Sequence, residues 1–282
     1  MPSGPSGYSA SEVARLVGLS VDQVRSYVRN GLIDAERGAR GAYLFSFQDV
    51  VLIRAARDLV KARVPRRRIR NALQQLKDSL PRGRSLSGLR ISAESDHVVV
   101  QDGDRRWSPD SGQLHFDFEV KDLAKAAAPL ARRRVREARA AGDDMDADDW
   151  YDLAFEMEAP APTDAASAYR RALELDPEHV DARVNLGRLL HEAGEVAEAE
   201  THYRAALERD PETEIAAFNL GVVLEDQGRL SDAAEAYESV LRRNGDHADA
   251  HYNAAGLYER LGDARRALRH LKAYRELTRR DR

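Results

Sequence analysis

The stretch from residue 185 to residue 218 reads NLGRLLHEAGEVAEAETHYRAALERDPETEIAAF, and the chain then begins the same pattern again with NLGVVL. Three columns keep one residue type at intervals of 34 residues: Asn185, Asn219 and Asn253; Gly194, Gly228 and Gly262; Ala199, Ala233 and Ala267. A fixed period of this length is typical of stacked helical units, none of which can bury its apolar face alone. The repetition predicts an α-solenoid over residues 146–282.

These units resemble the tetratricopeptide repeat (TPR), of which the chain has room for about four. In the repeat at 180–213, the family's positions are filled by Leu186, Gly187, Ala199, Tyr203, Ala206 and Pro211. The glycines let paired helices approach closely, and those that end each first helix favour a left-handed cap. The resemblance implies a concave groove, lined by the first helices, that binds a protein or peptide.

The groove residues predicted from this resemblance are Asn185, Arg188, Phe218, Asn219, Val222, Tyr252 and Asn253. An asparagine amide can both donate to and accept from a peptide backbone, so a periodic row of asparagines would clamp an extended segment. The alternative is that this asparagine is a common repeat residue that supports local packing. The sequence favours neither.

A second informative stretch, GLSVDQVRSYVRNGLI at 18–33, lies near the N-terminus. Ser20 and Gln23 can form a capping box, as Ser9 and Glu12 can for the helix before it. Two capped helices joined by a short turn with a glycine predict a helix-turn-helix. The segment at 34–45, DAERGARGAYLF, predicts a small β-wing, and two further helices follow.

Residues 8–80 resemble the DNA-binding domain of MerR-type transcription regulators. Signature positions of that family are occupied by Arg25, Tyr27, Gly31, Leu32 and Ser46. The chain departs from the family at Val28, where a glutamate is usual, and it lacks the family's long dimerising helix. The resemblance implies a winged helix-turn-helix that binds double-stranded DNA, and it leaves open whether the chain forms a homodimer.

The second helix of this motif has a valine stripe and a polar outer face. Side chains on that face can read base edges, while arginines and a tyrosine suit phosphates. Arginines also open the fourth helix, where they oppose the helix dipole, which suggests an outside anion. The alternative is that these basic side chains are only solvated and bind no partner. The predicted DNA-binding residues are Gln23, Arg25, Ser26, Tyr27, Arg29, Arg37, Arg40, Arg66, Arg67 and Arg68.

The charge distribution supports an anionic partner for the front of the chain only. Residues 1–90 hold 17 Lys and Arg against 7 Asp and Glu, whereas residues 91–282 hold 27 against 41. Between the two regions, residues 81–119 predict a linker and a small antiparallel sheet. Residues 120–145 predict a connecting helix that is interrupted or kinked at Pro129, and residues 1–7 a disordered tail.

No catalytic constellation emerges from the sequence, so we expect no enzyme activity, cofactor or metal site. Cysteine is absent, and there is no phosphate-binding glycine loop or nucleophile elbow. His247 and His251 lie four residues apart, but a repeat junction explains them better than a metal does. We also expect neither a signal peptide nor a membrane segment, hence a cytoplasmic protein, nucleoid-associated when bound to DNA.

The sequence therefore predicts a mainly α protein with a winged helix-turn-helix at 8–80, a small β segment and a TPR solenoid. The leading hypothesis is a DNA-binding transcription regulator that recruits or senses a protein or peptide through its TPR groove. The rival is an assembly or scaffold protein that uses both domains for protein contacts only. A regulatory subunit of an unseen enzyme is a third, weaker option.

Overall fold

The computed structural model describes residues 7–38, 41–61, 66–79, 89–94, 97–102, 105–107, 117–141 and 145–280. It divides into two compact units, Met1–Ala168 and Tyr169–Arg282. The helices are α1 (Ala10–Val17), α2 (Val21–Arg29), α3 (Phe47–Lys61), α4 (Arg66–Ser79), α5 (Val120–Ala141), α6 (Ala147–Met157), α7 (Pro162–Leu175), α8 (Val180–Glu192), α9 (Val196–Arg209), α10 (Glu214–Asp226), α11 (Leu230–Arg243), α12 (Ala248–Arg260) and α13 (Ala264–Arg280). The strands are β1 (Tyr8–Ser9), β2 (Glu36–Arg37), β3 (Tyr43–Phe45), β4 (Leu89–Glu94), β5 (His97–Asp102), β6 (Arg105–Trp107) and β7 (Asp117–Glu119).

The first two helices form the predicted helix-turn-helix, and both begin with a capping box. Ser9 and Glu12 exchange side-chain and backbone hydrogen bonds at the start of α1, and Ser20 and Gln23 do the same at the start of α2. The turn between them begins at Gly18, whose φ of 66° is left-handed. This conformation suits glycine because it has no Cβ to clash. The local sequence therefore sets both helix starts.

A three-stranded antiparallel sheet forms the wing, with strand order β1-β3-β2. The predicted hairpin supplies two strands, in which Arg37 pairs with Tyr43. The third strand, β1, pairs Tyr8 with Phe45 and was not predicted, because two residues carry no detectable alternation. The wing is thus tied to the start of the helix-turn-helix.

A second, four-stranded antiparallel sheet occupies the region where short strands were predicted, with strand order β6-β5-β4-β7. In its central pair, Ile91 lies opposite Val100. The predicted turn residue Gly103, the linker at 81–88 and residues 1–6 of the tail lie outside the described residues.

Helix α5 belongs to the core of the first unit. Its residues Leu123 and Ala127 are buried in the same cluster as Val13 of α1 and Ile53 of α3. The helix runs from Val120 to Ala141 with Pro129 inside it, so the predicted interruption is wrong, while the alternative of a kink at Pro129 stays a prediction. Burial of its apolar face stabilises the helix despite the amide hydrogen that proline lacks.

Two arginines of α5 hold the first helix of the helix-turn-helix. The Arg133 guanidinium lies 2.6 Å from a carboxylate oxygen of Glu12, and that of Arg134 lies 3.5 Å from the other oxygen. Arg134 also lies over the ring of Tyr8, 4.1 Å from its centroid. Burial raises the pKa of Glu12, but the hydrogen bonds from Ser9 and the two arginines outweigh it and leave the pKa below its usual value.

The second unit contains three consecutive helix pairs, α8 with α9, α10 with α11, and α12 with α13. Each first helix ends at a glycine in the left-handed region: Gly194 at φ 84°, Gly228 at 75° and Gly262 at 80°. These are the caps that the 34-residue spacing predicts. The α-solenoid fold class is confirmed.

Across the described part of the chain, no helix has the length and apolar character needed to cross a membrane.

Candidate nucleic-acid interface and repeat groove

Helix α2 has one buried face and one exposed, basic face. Val24 is fully buried in the core of the first unit. Arg25 and Arg29, four residues apart, are both exposed. Residues at this spacing share one side of a helix, so the two guanidinium groups point away from the core together. This arrangement leaves two strong hydrogen-bond donors available to an anionic partner.

Tyr27 does not lie on that exposed face. It is only 7% exposed and packs in the core three residues after Val24, on the same side of the helix. Burial raises the pKa of its hydroxyl. The structure therefore corrects the prediction that Tyr27 flanks the recognition face, and its role is to anchor α2.

Gln23 and Ser26 are at the surface, but both side chains already make local hydrogen bonds. The Gln23 side-chain oxygen accepts from the backbone N–H of Ser20 at 2.8 Å. The Ser26 hydroxyl donates to the carbonyl of Gln23 at 2.8 Å.

In the wing, the Arg37 guanidinium lies 4.4 Å from the centroid of the Tyr43 ring and donates to the Tyr43 hydroxyl and the Gly41 carbonyl. This stacking holds an exposed cation at a fixed place on the wing.

The start of α4 is only partly described. Arg67 is exposed, as predicted, while Arg40 and the side chains of Arg66 and Arg68 lie outside the described residues.

Arg70, also on α4, has a positioning role that the sequence did not reveal. Its guanidinium donates to the carbonyl oxygens of Asn30 at 3.0 Å and of Gly31 at 3.2 Å. These carbonyls follow the end of α2, where backbone acceptors lack helical partners and a cation is favourable. Arg70 therefore fixes the C-terminal end of the basic helix against α4. Nothing in the sequence indicates that Arg70 contacts residues that stand 39 and 40 positions before it.

An acidic recess of about 500 Å³ lies in the first unit between the wing, the start of α3 and helix α6. Its charged lining residues are Asp34, Glu36, Asp49, Lys77, Asp152 and Glu156. The Glu156 carboxylate accepts the backbone N–H of Phe47, the first residue of α3, at 2.8 Å. Burial, together with the charges of Asp49 and Glu36, raises the pKa of Glu156 to about 7. Helix α6, which the sequence assigned to the first repeat, thus contacts helix α3 of the N-terminal domain.

The predicted asparagine row lies in the second unit, and its side chains are used in packing. The Asn185 amide donates to the hydroxyl of Tyr169 at 3.1 Å, and Asn185 is only 7% exposed. The Asn253 amide donates to the hydroxyl of Tyr237 at 3.2 Å. Asn219 holds the equivalent place beside Tyr203, but its amide makes no hydrogen bond to the Tyr203 hydroxyl, whose pKa is raised by burial. At Asn185 and Asn253 the amide is therefore used inside the solenoid, which favours the packing alternative at these two positions over the peptide clamp.

The same tyrosines also explain why a glycine recurs in the first helix of successive repeats, at Gly187 and Gly221. A Cβ added to Gly187 would lie 2.9 Å from the ring of Tyr203, and one added to Gly221 would lie 2.6 Å from the ring of Tyr237. Both separations are too short for a side chain. Each tyrosine ring therefore packs on a glycine of its own repeat, and the Tyr237 hydroxyl also accepts a hydrogen bond from Asn253 of the next repeat.

The remaining groove residues are mostly apolar. Phe218 is 9% exposed and stacks on His247, with ring centroids 5.1 Å apart, while Val222 is half-buried. Tyr252 is 55% exposed, its ring centroid 5.2 Å from that of Tyr274. Arg188 is buried and lies 2.8 Å from Glu192.

Ile215, which the sequence prediction missed, is also 55% exposed. It stands one helical turn before Phe218 on α10, so the two residues share one side of the helix. Because Phe218 was a predicted groove residue, this spacing could have identified Ile215 from the sequence.

The histidines at the last repeat junction have structural partners. His247 accepts the backbone N–H of Ala250 as the cap of α12. The Nδ1 atoms of His251 and His270 lie 2.9 Å apart, and His270 is buried beside Glu238. Among the residues that the structure describes, no three metal-binding side chains come together.

Comparison with known families identifies both domains. The profile of the MerR HTH family regulatory proteins matches residues 8–76, and that of the tetratricopeptide repeat matches 161–214, 193–239 and 218–281. The chain therefore contains a MerR-family helix-turn-helix domain followed by TPR repeats. No curated protein matches this chain.

Solved structures of MamA share the helical-repeat fold. The crystal structure of MamA is 20% identical, with a TM-score of 0.50, over 57% of this chain and 92% of that chain. A double mutant of MamA RS-1 is 17% identical, also with a TM-score of 0.50, over 57% of this chain and 93% of that chain. At this identity the likeness concerns the fold alone.

Proposed function

We propose that this chain, which carries a MerR-family domain at 8–76 and TPR repeats at 161–281, is a non-enzymatic transcription regulator that binds duplex DNA. The observation that carries the proposal is the pair Arg25 and Arg29, both exposed on α2 while Val24 and Tyr27 anchor its other face. Second helices of helix-turn-helix motifs lie in the major groove and contact base edges. Arginine on such a helix suits guanine, and Arg37 and Arg67 suit phosphates.

DNA binding can be measured on the full-length chain by fluorescence anisotropy. We expect affinity for a mixed-sequence duplex to fall steeply between roughly 0.05 and 0.2 M salt, because arginines displace condensed counterions. Arg29→Ala should weaken binding and reduce discrimination between sequences. Arg171→Ala, on an exposed part of α7, is the matched control and should have little effect. Undetectable binding at low salt would favour the rival proposal of a scaffold that makes protein contacts only.

The TPR groove is the proposed site for a protein or peptide. Its exposed apolar groups are Ile215 and Tyr252, which an apolar side chain of the partner would cover. Because the amides of Asn185 and Asn253 are engaged in packing, recognition rests on these apolar side chains. We place the protein in the cytoplasm, at the nucleoid when it is bound to DNA.

Groove binding can be tested by crosslinking the full-length chain to its partners in cells. Ile215→Ser with Tyr252→Ser should reduce capture of the partner. Leu261→Ser is the control, since Leu261 is 41% exposed but lies against α11, in a recess that Ser231 and Arg242 also line. Equal capture by the wild type and the double variant would contradict the groove proposal.

A further inference from the structure

The last helix, α13, differs in charge from the rest of the second unit. Residues 169–263 carry 10 Lys and Arg against 21 Asp and Glu, whereas residues 264–282 carry 8 against 2. Within α13 itself the only carboxylate is Glu276. The change of sign at residue 264 makes this helix a basic element attached to an acidic solenoid.

Two of its arginines have carboxylate partners on neighbouring segments. Arg266 lies 3.2 Å from Asp263, and Arg269 lies 3.0 Å from Glu238. Lys272 makes a long contact of 3.9 Å with Glu276. Arg265, Arg275 and Arg279 are exposed, and among the described residues none of them has a carboxylate within 4.0 Å. The basic character of the helix is therefore only partly neutralised.

The residues without strong partners form one row, which we call the terminal stripe: Arg265, Lys272, Arg275 and Arg279. Steps of seven, three and four residues keep them on one face of the helix. Leu268 lies on the same face and is 67% exposed. At 1.5 Å per residue the stripe extends over about 21 Å.

The stripe opposes the stability of its own helix. Like charges three or four residues apart repel, as in Lys272 with Arg275 and Arg275 with Arg279. Arg265 stands in the first turn, where a cation also opposes the helix dipole, and no acidic residue lies within that turn. The carboxylate of Asp263, just before the helix, accepts the backbone N–H of Arg266 at 3.0 Å. Helix α9, by contrast, pairs opposite charges four residues apart, with Glu200 and Arg204 at 2.8 Å. An anion outside the unit would offset this repulsion.

We propose that the terminal stripe contacts the phosphate backbone of duplex DNA and is a second DNA-binding element of this chain. The proposal rests on the proposed function, because the front domain brings the DNA. A duplex presents a dense, regular row of negative charge that an extended row of arginine and lysine can neutralise. A membrane surface is less suited, since helices that lie in it need a broad apolar face and Leu268 is the only large apolar residue highly exposed on α13.

The test compares the salt dependence of duplex binding for the full-length wild type and for a variant with Arg265→Gln, Lys272→Gln, Arg275→Gln and Arg279→Gln. Each lost phosphate contact should reduce the slope of log affinity against log salt by about 0.9, so four contacts would reduce it by about 3.6. The probe is a mixed-sequence duplex of about 60 base pairs, long enough for more than one contact region.

A control variant removes the same net charge from exposed arginines that have carboxylate partners: Arg171→Gln, Arg209→Gln, Arg243→Gln and Arg260→Gln. The slope of log affinity against log salt should fall more in the stripe variant than in this control. At low salt the melting temperature of the stripe variant should be no lower than that of the wild type, because the repulsion between like charges is removed. Equal slopes for the two variants would overturn the second contact while leaving DNA binding by the front domain intact. A wild type that binds no duplex would overturn both proposals. If the stripe variant loses binding to anionic vesicles while its salt slope for duplex binding equals that of the wild type, the stripe binds membranes instead of DNA.

Discussion

The side-chain amide of Asn253 donates a hydrogen bond to the hydroxyl oxygen of Tyr237, which stands 16 residues earlier in the preceding repeat. The same spacing separates Asn185 from Tyr169, whose hydroxyl accepts from the asparagine amide in the same way. Successive repeats are therefore linked by a polar contact within their apolar packing. A row of asparagines that the sequence alone could assign to ligand binding is part of the solenoid's structure.

This contact predicts coupled losses of stability. Asn253→Ala and Tyr237→Phe should each lower the unfolding free energy of the second unit by about 0.5–1.5 kcal/mol, the usual net value of such a hydrogen bond. Because both changes remove the same bond, the double variant should lose less than the sum of the single variants. Urea unfolding of the full-length chain measures all three. Additive losses would contradict the role given to the contact.

The close approach of helices within a repeat can be tested at Gly221. Gly221→Ala would place a methyl group 2.6 Å from the Tyr237 ring, so we expect a loss of about 1–3 kcal/mol from overpacking. Gly256 is the matched control, because it lies inside α12 with open space at its Cβ position. Gly256→Ala should be neutral or stabilising by up to about 1 kcal/mol. Thermal melts that rank the two variants in the opposite order would refute this packing.

Glu156 makes the stability of the first unit depend on pH. Its folded-state pKa, about 7, lies above the unfolded value of 4.5, so the folded state holds this proton more tightly. The associated stability is fully present below pH 4.5 and is lost as the pH rises towards 7 and above. Glu156→Gln keeps an acceptor for the Phe47 N–H without the charge. It should add about 1–3 kcal/mol at pH 8 and much less at pH 4.5.

The measurement is chemical unfolding of the wild type and the Glu156→Gln variant across this range. A gain in stability that is the same at both pH values would show that the carboxyl group does not titrate between them.

Arg70 should affect DNA binding without touching DNA. Arg70→Ala removes the donors to the carbonyls of Asn30 and Gly31, so the end of α2 should become more mobile and affinity should fall about threefold to tenfold. Because Arg70→Lys keeps the charge but not the two-pronged geometry, it should recover only part of this loss. Hydrogen exchange at residues 29–32 separates the two roles. Unchanged exchange with weaker binding would mean that Arg70 contacts DNA directly.

The sequence predicted the parts of the fold that depend on neighbouring residues. The capping pairs at Ser9 and Ser20, and the left-handed glycines such as Gly194, follow from local backbone chemistry and are found where predicted. The antiparallel sheet between 89 and 119 also follows from short alternating strands.

The sequence failed where long-range packing decides the outcome. Tyr27 was expected on a flank but lies in the core, since periodicity alone does not say how wide the buried face of a helix is. The contact of Arg70 with Asn30 and the contact of Glu156 with Phe47 join distant residues. The role of Asn185 required knowing that Tyr169 would lie beside it.

The most direct test of the account is the genome-wide DNA occupancy of the tagged full-length protein in its own cells. It would be measured for the wild type and for a variant with Arg25→Ala and Arg29→Ala. We expect discrete occupied sites for the wild type and their loss in the variant at equal protein abundance, because these two exposed arginines are the side chains proposed to contact bases and phosphates. No discrete sites in the wild type, or the same sites in both proteins, would contradict the claim that this helix-turn-helix reads DNA.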